Sequence, residues 1–70
     1  MNVETLVVYM WRQTGQPTLD PTGYREITAR AQVILSNAPN NVRYAATVAG
    51  AEADVAEWVD RNPGVLPFAA

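Results

Sequence analysis

The sequence predicts a small α/β domain in the order β-α-β-α, with two amphipathic helices packed on a sheet of two or three strands. Three observations lead there. Residues 3–11 are rich in β-branched and aromatic side chains, and Asp20-Pro21 opens a stripe of apolar residues at helical spacing. Residues 42–49 then alternate again, ahead of a second amphipathic stretch over 51–62.

The first strand, 3–11, reads VETLVVYMW. Val3, Thr5, Val7, Tyr9 and Trp11 would point one way and Leu6, Val8 and Met10 the other, so both faces are apolar and both need cover. A helix capped by Asn2 and stopped at Gly15 is the competing assignment; the Val-Val-Tyr run favours the strand. Gln13–Leu19 is a polar turn containing Gly15 and Pro17.

The helix over 21–37 has the clearest signals. Asp20 suits the N-cap, and Pro21 suits the first helical position, where a missing N–H costs nothing. Tyr24, Ile27, Ala31, Ile34 and Leu35 share one face, while Glu26 and Arg30 are spaced to pair on the polar side. Pro39 ends the helix, and Asn40-Asn41 marks a turn.

In the second strand, 42–49, Val42, Tyr44, Ala46 and Val48 would share a face before Gly50 breaks the pattern. The second helix, 51–62, turns Ala51, Val55, Trp58 and Val59 inward and Asp54, Glu57 and Arg61 outward, and Asn62-Pro63-Gly64 stops it. The apolar tail 65–70 would add an edge strand or lie on the core. Because alanine is a strong helix former, Asn41–Arg61 could also be one continuous helix through Gly50, making the protein a mostly α-helical bundle.

Composition narrows the function. Seventy residues make a single domain, spanning 1–70, with a thin core; a domain of about 60 residues buries only about 60% of its unfolded surface. Without cysteine there is no disulfide or thiolate metal site to staple it, so self-association or a partner is the expected source of added stability. A net charge of −2 disfavours a phosphate-gripping nucleic-acid binder. The start lacks a basic leader, and Leu6–Trp11 is too short to span a membrane, which points to the cytoplasm.

Candidate chemistry is sparse. Histidine, cysteine and lysine are all missing, so the hydroxyls of Thr5, Thr14, Ser36 and Thr47 have no side chain to activate them. Asp54, Glu57 and Asp60 are the densest carboxylates, and a small carboxylate-based metal module or enzyme is one alternative; a solvated helix face explains them as well. Helix starts at Asp20 and at Ala49-Gly50-Ala51-Glu52 already carry their own carboxylates where a phosphate would sit. We therefore expect no enzyme, no cofactor and no metal.

The aromatic residues are more suggestive. Tyr9, Trp11 and Tyr44, beside Arg12 and Arg43, could form a sheet face that stacks single-stranded nucleic acid. The reading favoured over this one is a protein-interaction module. It would be a regulatory or inhibitory protein, or a small component of a viral or multiprotein assembly, pairing as a homodimer through the uncovered face of the first strand. Tyr9, Met10, Trp11, Arg12 and Tyr44 are the expected partner-binding residues, being of types enriched at interfaces.

Overall fold

Three helices form where two strands and two helices were expected. The computed structural model describes residues 1–64 and contains α1 (Val3–Thr14), α2 (Pro21–Asn37) and α3 (Val42–Arg61), with a 3-10 turn at Ala38–Asn40 between the last two. There is no strand among the described residues. The β-α-β-α expectation is thereby corrected to its helical alternative. The tail 65–70 lies outside the described residues.

The expected strand 3–11 is helix α1, and its ends explain why. Asn2 Oδ1 accepts a hydrogen bond from the Thr5 N–H at 2.8 Å, satisfying a first-turn donor. At the other end Gly15 takes the left-handed conformation (φ 74°) and donates its N–H to the Arg12 carbonyl at 3.2 Å. Between these caps, consecutive Leu6, Val7 and Val8 are all buried, as is Trp11 one turn on. A helix flanked by two others buries such a wide arc. An apolar run buried all round has no diagnostic period, so it resembles a strand covered on both faces.

Helix α2 occupies 21–37, the range its signals indicate. Asp20 Oδ1 accepts from the Gly23 N–H at 2.6 Å, and Pro21 stands in the first turn. Ile27 and Ala31 are buried, with Tyr24, Ile34 and Leu35 half-buried beside them.

The expected strand 42–49 and helix 51–62 are a single helix. Asn41 starts α3 by accepting from the N–H groups of Arg43 at 3.0 Å and Tyr44 at 3.4 Å. Ala45, Ala46, Ala49 and Ala51 then favour continuing it, and Gly50 is passed without a break. Tyr44, Val48, Ala51, Val55 and Trp58 fall on its inward side. Asn62 closes it, donating its backbone N–H (3.0 Å) and its side-chain amide (3.0 Å) to the Trp58 carbonyl.

Two apolar clusters join the helices. Leu6 and Val7 of α1 meet Ile27 and Ala31 of α2 and Ala51 of α3; Val8 and Trp11 meet Val55. No polar or charged residue is buried among the described residues. None of the described helices is long and apolar enough to cross a membrane.

Two glycine substitutions test the helix boundaries in opposite directions. At Gly50 an added Cβ meets nothing within 4 Å. Gly50→Ala therefore stabilises by about 0.5–1 kcal/mol, seen as a melting-temperature rise of several degrees. Gly15→Ala, at positive φ, lowers it. A strand at 42–49 would show no such gain from alanine at position 50.

Candidate functional site

The five residues expected to meet a partner do not form one surface. Trp11 is 5% exposed and packs edge-on against Trp58, the ring centroids 5.6 Å apart. Its indole N–H is buried without an acceptor, a cost of about 1–3 kcal/mol that apolar packing must offset. Arg12 is held inside the same contact. Its guanidinium donates to Asp54 Oδ2 at 2.8 Å and lies over the Trp58 ring, 5.3 Å from the centroid. Tyr9 is half-buried against both core clusters. Trp11, Arg12, Trp58 and Asp54 thus clamp α1 to α3.

Met10 and Tyr44 are placed differently. Tyr44 lines an open groove of about 430 Å³ with Ala29, Arg30, Val33 and Ile34 of α2. Met10 lines a neighbouring recess of about 340 Å³ with Gln13, Thr14, Ile27, Arg30 and Ile34. Arg30 and Ile34 belong to both, so the two hollows adjoin along α2. The walls are aliphatic apart from the Tyr44 ring, and Val33 is 58% exposed there. Such an apolar concavity with few polar groups has the usual character of a binding site.

Electrostatics single out the same helix. Arg12 pairs with Asp54, and Arg61 pairs with Glu57 one turn before it. Glu26 and Arg30 form no ion pair, contrary to what their spacing suggests. Arg25, Arg30 and Arg43 therefore carry no carboxylate partner among the described residues. Residues 21–50 hold these three arginines against Glu26 alone, a net +2. The whole chain is −2, so the remainder carries −4. The groove is the positive pole of an acidic molecule.

The other sequence candidates are absorbed into the fold. Thr14 Oγ1 donates to the Trp11 carbonyl at 2.6 Å, Ser36 Oγ to Gln32 at 2.9 Å and Thr47 Oγ1 to Arg43 at 3.0 Å. Thr5 Oγ1 donates to Asn2 Oδ1 at 2.8 Å. Asp54 and Glu57 are each engaged by an arginine, and among the described residues no three carboxylates gather around a common point. The helix start proposed at Gly50 does not exist, because α3 runs through it. The aromatic sheet face has no sheet to stand on, and Trp11 is buried.

The groove residues Ala29, Arg30, Val33 and Ile34 are those the sequence reading does not single out as a site. Val33 carried a signal, since it is apolar yet falls outside the stripe Tyr24, Ile27, Ala31, Ile34 and Leu35.

Comparing the two ion pairs tests whether the Arg12 contact is a clamp. Its side chains are 25% and 42% exposed, against 73% and 60% for Arg61 and Glu57. Double-mutant cycles to alanine in urea unfolding should give a coupling of about 1 kcal/mol for Arg12–Asp54 and about 0.3–0.5 kcal/mol for Glu57–Arg61. Equal couplings would mean that burial and the Trp58 ring add nothing.

The chain matches no family model, no curated protein and no solved structure.

Proposed function

We propose that this chain is a non-enzymatic protein-interaction module of the regulatory or assembly kind, with the cytoplasm as its working compartment. It takes a short apolar segment bearing a carboxylate into the groove along α2. One observation carries this reading. The groove couples exposed aliphatic surface at Val33 and Ile34 to the unpaired guanidinium of Arg30.

Each part has a physical role. Apolar side chains of the ligand displace water from Ala29, Val33, Ile34 and the Tyr44 ring, contributing about 25 cal/mol per Å² buried. Arg30 can give a carboxylate two parallel N–H donors, which fixes orientation as well as adding affinity. The positive pole steers acidic segments toward the groove and repels basic ones. A catalytic reading has less support. The polar side chains of the groove are one guanidinium and one phenol, and neither has a base beside it among the groove residues.

Selection from a displayed library of short random peptides tests this. Enriched sequences should combine aliphatic or aromatic residues with Asp or Glu. Their binding should perturb the amide resonances of Val33, Ile34 and Tyr44. Val33→Asp sits at an exposed helix position and should weaken binding about tenfold or more, equivalent to about 1.4 kcal/mol. Failure to enrich such peptides, or perturbation confined to the Trp58 side, overturns the reading.

A further inference from the structure

A ligand of the required chemistry is present on this chain's own surface. Along the C-terminal half of α3, Glu52, Ala56, Val59 and Asp60 lie at i, i+4, i+7 and i+8, which places them on one side of the helix. All four are exposed, and Val59 keeps 48% of its surface in solvent. Glu52 and Asp60 have no cationic partner among the described residues, in contrast to Asp54 and Glu57. The face is thus an aliphatic patch between two free carboxylates. The groove is an aliphatic hollow with a free arginine. In shape class and in charge, one complements the other.

A single copy cannot bring them together. Tyr44 in the groove and Val59 on the acidic face are fifteen residues apart on one unbroken helix, about 22 Å at 1.5 Å per residue. Two copies can. Building on the groove reading above, we propose that the groove's partner is a second copy of this chain. That copy presents Glu52, Ala56, Val59 and Asp60, with Val59 entering the hollow beside Val33 and one carboxylate meeting Arg30. The two contacting surfaces are different, so the contact is head-to-tail, and each bound copy leaves one groove and one acidic face open for the next. Assembly grows until the rotation between copies closes a ring. Charge also sets the polarity. Face on face would stack the free carboxylates, whereas face in groove joins the −4 and +2 parts of the chain.

The test uses two variants that each disable one end. Arg30→Glu spoils the groove and keeps the acidic face; Glu52→Arg with Asp60→Arg spoils the face and keeps the groove. All three positions are exposed, and circular dichroism confirms that helix content is retained. Analytical ultracentrifugation of the wild-type chain, from roughly 10 µM to roughly 1 mM because the faces are small, should show mass rising with concentration past the dimer. Raising salt should reduce it. Each variant alone should remain a monomer. Mixed in equal amounts, they should form a one-to-one dimer that grows no further, because one intact groove meets one intact face and both outer ends are blocked. A wild-type monomer throughout, a variant that still assembles, or a mixture that does not pair overturns the proposal. If the wild type is monomeric while acidic apolar peptides still bind at Val33 and Tyr44, self-recognition alone has failed. If the peptides fail too, the groove reading goes with it.

Discussion

Leu6 and Val7 are the two large side chains of the described residues that lose essentially all contact with solvent, and both belong to α1. The rest of the fold hangs on them. Helix α2 brings Ile27 and Ala31 to this pair, and α3 brings Ala51. Fully burying such an aliphatic side chain stabilises by about 1.5–3 kcal/mol, a large share for a domain with eight buried apolar residues described. The second cluster extends the same arc. Val8 and Trp11 meet Val55, and Arg12 crosses to Asp54 at the point where α1 leaves the core. A twelve-residue helix would be marginal alone; here it persists because two neighbours cover it.

That arrangement decides what is left at the surface. Because α1 is the covered element, its aromatic and aliphatic side chains are used up in packing. Surplus apolar surface then falls to the covering helices. On α2 it is Val33, which stands off the inward stripe; on α3 it is Val42 at one end and Val59 near the other. The charges sort in the same way. Arginines near the core clamp find partners within the chain, and those on α2 and at the start of α3 do not. Thus the molecule is satisfied around α1 and unsatisfied along its flanks.

How much of this was legible in the sequence depends on whether a signal was local. Asp20-Pro21 announces α2 because capping and the absent proline N–H act within one turn, and the helix runs over 21–37 as those residues indicate. For α1 the local signals were equally present, in Asn2 and Gly15, but the β-branched run outweighed them. Tertiary cover from both sides overrode that preference. At Gly50 the error ran the other way. One glycine costs a helix about 1 kcal/mol, and the alanines on either side together outweigh it. Of the candidate site, Met10 and Tyr44 were found by residue type alone. Arg30 was not, because its importance lies in a pair with Glu26 that the fold leaves unmade.

The thin core and the unsatisfied flanks are two sides of one physical situation. A chain this short must leave a large fraction of its apolar atoms in water, and without cysteine it has no covalent route to compensate. Binding at a native surface adds stability by mass action, in proportion to how far the partner's concentration exceeds its dissociation constant. If that surface joins two copies through unlike faces, the folded population and the assembled population rise together. The same exposed valines that weaken the isolated domain then become the contacts between domains, and the arginine left without Glu26 sets the direction in which they meet.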